Sequence, residues 1–574
     1  MADDASPRCY LPESWAGGGR MWGFAAHLYA LRSQRNWGMG DFTDLHAFAR
    51  LAKTLGADVV GINPLHALHW LDPDAASPYS PTSRRFLNPL YVDVEAVPEF
   101  AVDPAASGAM LESLAGDLRA TRASARVEYA LVGRCKRAAL EALYVTFARG
   151  AGAARRREFE IFCAHAGPAL ERFARYEALN ERYARDEGRT RGWMTWPESY
   201  RNPRGAAVTR FARRARERID FYKYLQFVAH EQLAAVARDP RAAGLYLDLA
   251  VGVDANSADV WSARDDYLLD RTVGAPPDPL GPQGQNWGLA PFDPEKLADD
   301  GGRAFAALLH DAMRYATALR IDHVMSLLRL FHIPAGSAAA QGAYVAYPFD
   351  LLLELTADAS NAARCVVVGE DLGTVPDGFR ARMERAAILS YRLLLFERDG
   401  AGTFRPPEAY PELALATATT HDLPTLPGWV LGRDLDVRAV LGQLDGDALR
   451  AEHGVRRVDA TRLLEALAAA GELDAGAVER LHRTIDAGET QPDAYAPLVA
   501  AAYRFLGASA ARMVLVQLDD ALGEIDQVNL PGTYGEYPNW RRKCSAGLEQ
   551  IAGDERIARL AAEVGARVRG GRLA

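Results

Sequence analysis

Cysteine is scarce in this 574-residue chain. There are five, at Cys9, Cys135, Cys163, Cys365 and Cys544, an odd number with no C-x-x-C pair. That spacing suits neither a disulfide framework nor a cysteine-based metal site, and reduced thiols of a cytoplasmic protein are expected. Long hydrophobic runs are missing as well. No segment approaches the ~18 apolar residues of a membrane-spanning helix. The acidic opening MADDASPRCYLPESWAGGG has no apolar stretch of the kind a secretory signal carries. Excess positive charge is absent too, since 66 Lys and Arg stand against 75 Asp and Glu, a formal net charge of −9. With no long basic block, neither nucleic acid nor an anionic membrane is an expected partner. The short basic runs at 155–158 and 210–218 follow helical periodicity and are expected as solvated helix faces. No glycine-rich phosphate loop occurs, and His323 and His421 each adjoin an Asp rather than another histidine. No metal and no nucleotide cofactor is therefore expected.

What the chain does contain is a series of eight short apolar runs, each closed by a polar or glycine-rich turn. They are WGFAAHLYAL (22–31), DVVGINPLHA (58–67), GLYLDLAVGV (244–253), ALRIDHVM (318–325), CVVVGEDLG (365–373), LSYRLLLF (389–396), ALATATTHD (414–422) and MVLVQLDDALG (513–523). Several are apolar nearly throughout, as strands buried on both faces are, and helical patterns lie between them. The pattern predicts an α/β fold, a (β/α)8 TIM barrel. Strands one and two fall in 1–98, strands three to seven in 241–433, and strand eight with closing helices in 506–574. Helix-rich stretches predict insertions at 99–240, between strands two and three, and at 434–505, between strands seven and eight. The segment VGAPPDPLGPQGQNWGLAPFDP after strand three is rich in Pro and Gly and has no periodicity. It reads as a long loop, and its lone Trp287 favours a functional one over a disordered linker.

The run CVVVGEDLGTVP breaks at a glycine and sets Glu370 beside Asp371. Taken alone, such acids cap the next helix. The neighbouring strands change that reading: strand four ends RIDH and strand seven ends TTHD. Active sites of this barrel class lie at the C-terminal rim, so Asp322, Glu370 and Asp422 are expected to converge there. Three like charges at one mouth do not serve stability. Paired carboxylates with separate roles fit glycoside chemistry, one acting as nucleophile and one as general acid/base. Arg320, two residues before Asp322, shares its strand face and sets a cation beside the proposed nucleophile. Asp371, on the opposite face from Glu370, is expected to anchor the following turn.

On these and further motifs the chain resembles the 4-α-glucanotransferases (amylomaltases, glycoside hydrolase family 77) of the α-amylase-like barrels. The motifs are LYALRSQRNWGMGDFTDL (28–45), SPYSPTSRRFLNPLYVDV (77–94), DLAVGVDANSADVW (248–261), GAPPDPLGPQGQNWG (274–288), LRIDHV (319–324), GEDLG (369–373), TTHDLPTLPGW (419–429) and NLPGTYGEYPNW (529–540). The resemblance implies that Asp322 is the nucleophile, Glu370 the acid/base, and Asp422 the group that holds hydroxyls of the distorted sugar. It implies substrate contacts at Ser77, Tyr79, Asp248, Gln285, Trp287, Arg320, His323, His421 and Asn529, the first two on a substrate loop. It implies maltooligosaccharides and other α-1,4-glucans as partners. A hydrolase, or a non-catalytic glucan-binding barrel, would share much of this pattern. Departures from the resemblance are Met325 and Ser326 behind the nucleophile, and Pro279 and Leu280 where aromatics are common. Trp22, Trp261 and Trp540 are expected to be packing residues.

Overall fold

A computed structural model of the chain describes residues 7–72, 75–187, 192–277 and 283–570. The eight runs form β1 (Met21–Ala26), β2 (Val59–Ile62), β3 (Gly244–Leu249), β4 (Ala318–Ile321), β5 (Val366–Gly369), β6 (Leu389–Leu393), β7 (Ala414–Thr417) and β8 (Met513–Gln517). All neighbours pair in parallel, and β8 closes on β1 to make a barrel. The near-continuous hydrophobicity has its expected cause. Val366 and Val368 pack inside the barrel with Tyr246, Leu415 and Met513, while Val367 joins the core between strands and helices. β1 and β2 approach so closely at Gly23 that a Cβ there would lie 2.0 Å from the Val59 carbonyl oxygen. Only glycine fits that position.

Long helices fill the stretch between β2 and β3, among them Pro104–Ala123, Tyr129–Gly150, Ala153–Glu187 and Arg216–Arg238. Others, including Gly446–Ala469 and Ala496–Gly507, lie between β7 and β8. The basic runs are not uniformly solvated. The Arg155 side chain is 13% exposed, bonds Glu99 at 2.9 Å and lies over the Phe227 ring. Arg218 bonds Glu141 and Glu181. Both arginines dock one insertion helix on another, with the guanidinium paired and the stem packed.

The Pro/Gly-rich segment also departs from expectation. It is not one long loop, because Arg271–Ala275 and Gln285–Ala290 are antiparallel strands. They belong to a five-stranded sheet with Val253–Asp254, Arg329–Pro334 and Ala343–Ala346. Two of those strands come from distant parts of the chain, so no local periodicity announces them. Pro279 and Leu280 lie outside the described residues.

Asp371 is fully buried and holds more than the turn it was expected to anchor. It accepts bonds from Arg380 Nε (2.7 Å), Ser390 Oγ (2.6 Å) and the Tyr391 backbone N–H (2.8 Å), tying the end of β5 to the start of β6. Asp371→Asn keeps the shape but replaces one acceptor oxygen with a donor that faces other donors. We expect a loss of about 1–3 kcal/mol in stability by urea denaturation, with less loss of activity than Glu370→Gln.

Candidate active site

The register of the barrel builds the site. β3 and β4 pair Asp248 directly with Arg320. Arg320 Nη1 donates to both oxygens of Asp248, at 2.8 and 2.9 Å. Its Nη2 lies 2.8 Å from Asp322, two residues on and therefore on the same face. Burial works against the guanidinium charge, but Asp248 and Asp322 outweigh it and hold the group well above its ordinary pKa. For Asp248 burial is the larger influence and raises the carboxyl, with Arg320 opposing and Asp322 adding to the rise.

Beyond β4 the chain turns sharply at His323, a non-glycine residue in the left-handed region (φ 46°). Its N–H donates to Glu370 Oε2 at 2.9 Å, while Glu370 Oε1 accepts from the Leu372 N–H at 2.7 Å. Glu370 is 7% exposed. Burial pushes its carboxyl up to about 7, with Arg320 opposing and Asp322 reinforcing the shift. Glu370 and Asp322 thus stand around one cation in unlike surroundings: Glu370 is buried and raised, and Asp322 is paired directly with the guanidinium.

Asp422, on the far side, is half-exposed. Its Oδ1 accepts from Asn529 Nδ2 at 2.7 Å and its Oδ2 lies 3.3 Å from His421 Nε2. Against the desolvation of the rim, His421 and the Asn529 bond hold the Asp422 carboxyl down at about 2. Tyr79 completes the circuit. Its hydroxyl donates to Asp248 Oδ2 (2.6 Å) and lies 3.2 Å from His421 Nδ1, and its ring stacks on His421 at 4.6 Å. A Tyr79 hydroxyl that gives its proton to Asp248 is left as an acceptor towards Nδ1, and Asp422 is an acceptor beside Nε2, so both contacts favour the charged ring of His421. This agrees with the raised pKa of His421, where burial opposes the charge and Asp422 prevails.

The twelve positions singled out in the sequence are thereby joined. Asn529, Asp422, His421, Tyr79, Asp248, Arg320 and Asp322 form one chain of polar contacts, and the His323 amide links Glu370 to it. Ser77 Oγ accepts from the Tyr79 N–H. Trp287 donates to the Gln285 side chain and meets the His323 ring edge-on at 5.6 Å, which carries the antiparallel sheet to the rim. Behind Asp322, Ser326 lines a cavity of about 40 Å³ with Leu327, Leu330 and Tyr347.

Two residues in the site were not among those twelve. Trp540 is buried, as expected of a packing residue, but what it packs on is the site: its ring lies 5.4 Å from both Tyr79 and His421, and its φ is +59°. His27 follows β1 and its ring is 6.4 Å from that of His421. Burial, then the charge of His421, holds His27 neutral, with its pKa at about 3. The signal for His27 was its strand-end position in the run FAAHLY, a place that His323 and His421 also occupy in their runs. Among the described residues no cluster of three His, Cys, Asp or Glu is disposed to hold a metal ion. The cation at the centre of this rim is Arg320.

Fold and rim together define a closed parallel α/β barrel with carboxyl groups gathered around one arginine at its rim. Residues 26–549 match the 4-alpha-glucanotransferase family of glycoside hydrolase type 77. The chain is 38% identical to the 4-alpha-glucanotransferase of Haemophilus influenzae, covering 94% of this chain and 77% of that protein. It is also 38% identical to the Mycobacterium bovis enzyme of the same name, over 96% and 76% of the two chains. Its fold matches the crystal structure of amylomaltase from Corynebacterium glutamicum with a TM-score of 0.85 at 31% identity, over 97% of this chain and 77% of that one. An amylomaltase from Streptococcus agalactiae, in complex with acarbose, shares the fold (TM-score 0.73, 18% identity, 96% and 100% covered). The chain belongs to the 4-alpha-glucanotransferase family, and it is an enzyme of glycosyl transfer.

Proposed function

We propose that the enzyme works by retention on α-1,4-glucans, through a covalent glycosyl-enzyme on Asp322. The carrying observation is the pair of unlike carboxyls around Arg320. Glu370, protonated in the resting enzyme, gives its proton to the glycosidic oxygen as the C1–O bond breaks. Asp322, an acceptor paired with a cation, closes on C1 and forms the ester. Glu370 is left as a carboxylate, which Arg320 stabilises. It then takes the proton of an incoming 4-hydroxyl as that oxygen displaces Asp322 from C1. Asp422, kept ionised by His421 and Asn529, is suited to accept bonds from hydroxyls of the distorted sugar. Tyr79 and Asp248 hold this half of the rim in register with Arg320.

Hydrolysis would use the same carboxylates, because Glu370 can deprotonate water as well as sugar. Support for transfer comes from the hairpin carrying Gln285 and Trp287, which stands against His323 at the mouth and can shield the ester from water while an acceptor docks. The test is the product pattern from maltotriose. Transfer yields glucose together with longer maltooligosaccharides at a nearly constant number of reducing ends, since each bond broken is matched by one made. A steady rise in reducing ends without longer products would instead show a hydrolase.

A further inference from the structure

On the outer wall of the barrel, where the first helical insertion docks, lies a separate cavity of about 180 Å³. Its floor includes Leu247 on β3 and Leu319 on β4. Their side chains face away from the barrel axis, opposite to those of Asp248 and Arg320. The strand Ser83–Leu87 contributes Arg85 and the helix Arg216–Arg238 contributes His230. Arg314 follows directly on the helix Arg303–Met313. The helix Ala153–Glu187 contributes Phe162 and His165, just before it breaks at Gly167 (φ 58°, ψ −149°).

The charges around this cavity do not cancel. Asp311 is its carboxylate, and both of its oxygens are already engaged, by Arg85 Nε at 2.7 Å and Arg314 Nη2 at 2.9 Å. Asp248, the other acid beside it, is turned to the rim by Tyr79 and Arg320. One carboxylate therefore faces two guanidiniums, each with further N–H groups to give. Arg172, outside the lining but close enough to Arg85 to be repelled by it, also feels Asp266, and its Nε has no hydrogen-bond partner among the described residues. His165 is exposed at the cavity and makes no hydrogen bond within the described residues. His230 reports the potential: burial, then the charges of Arg314 and Arg238, holds it neutral, at about 4.

A metal cation would be repelled here, and a neutral sugar would leave the excess positive charge uncompensated. A dianion with a small organic body matches both the charge and the apolar wall of Phe162 and Leu233. We propose that this cavity is a binding site for a small phosphate monoester, with its phosphate held by Arg85, Arg314 and His165 and its body against Phe162 and Leu233. The site is distinct from the catalytic rim and stands whether or not the roles given to the rim carboxylates are right.

Calorimetric titration of the intact enzyme at low ionic strength tests it, with glucose 6-phosphate, phenyl phosphate, inorganic phosphate and glucose as probes. At least one monoester should bind, at least tenfold more tightly than inorganic phosphate, and glucose should give no signal at this site. Arg314→Gln and His165→Ala should each weaken that binding tenfold or more while leaving maltotriose disproportionation unchanged in the absence of phosphate. Asp322→Asn should bind the monoester as the parent enzyme does. Four results would overturn the proposal: no binding of either monoester, inorganic phosphate binding equally well, undiminished binding in both pocket variants, or binding lost in Asp322→Asn.

Discussion

Glu370→Gln is expected to lose about 10²–10⁴-fold in turnover of maltooligosaccharides, yet to keep most of its first-step rate on α-maltosyl fluoride. The difference follows from the leaving group. A sugar oxygen departs only if it is protonated, and in the wild type the proton comes from a carboxyl that burial has raised to about 7. Fluoride needs little such help. Asp322→Asn should fail on both donors, because no oxygen nucleophile remains to form the ester. The pH profile carries the same information. Glu370 must hold its proton for cleavage, so wild-type kcat/KM on maltooligosaccharides should fall as pH rises through about 7. Glu370→Gln on the fluoride donor should lack that alkaline limb. Asp422, held at about 2, stays ionised throughout the working range and contributes no limb of its own. Trapping the intermediate with a 5-fluoro glucosyl donor and mapping the labelled peptide separates the two roles directly. Label on the peptide containing Glu370 rather than Asp322 would reverse the assignment.

The carboxylates and strands were legible because their signals are local. A buried parallel strand is a continuous apolar run, and a rim residue is the polar residue that ends it, so all eight strands and the three acids could be placed from short stretches. Residues two apart on a strand share a face, which makes the Arg320–Asp322 pair legible in the sequence. What escaped depends on contacts between segments far apart in the chain. The strands Arg271–Ala275 and Gln285–Ala290 take their partners from 253–254 and 329–334, and their Pro- and Gly-rich connection masked them as a loop. Trp540 looks like any core tryptophan until Tyr79 and His421 are seen on it. Arg155 belongs to a basic run whose helical spacing suggests a wet face, and its distant partners, Glu99 56 residues away and the Phe227 ring, show otherwise. The bond from Tyr79 to Asp248 spans 169 residues and no motif encodes it.

Arg320→Met should be the most damaging single change outside the carboxylates, in a manner that depends on pH. Arg320 faces Asp248 and Asp322 directly, and it opposes the burial that raises Asp248 and Glu370. Removing it leaves buried acids without their cation, which in comparable buried pairs costs about 3–5 kcal/mol. The sign follows from protonation. With the guanidinium gone, Asp248 and Glu370 titrate still higher in the folded protein, while the unfolded chain keeps ordinary carboxyls. A carboxyl raised in the native state favours folding at low pH, and that contribution is lost as pH rises through its folded pKa. The variant's deficit against wild type should therefore be largest near pH 8 and shrink towards pH 5, as read from urea denaturation at both values. Arg320→Lys should restore part of the stability but little activity, because one ammonium cannot span two carboxylates as Nη1 and Nη2 do. Adding Asp248→Asn to Arg320→Met removes one of the stranded charges and should recover stability near pH 8 without recovering maltotriose disproportionation. A deficit that stayed constant from pH 5 to pH 8, unrelieved by Asp248→Asn, would mean that Arg320 holds this rim by packing rather than by charge.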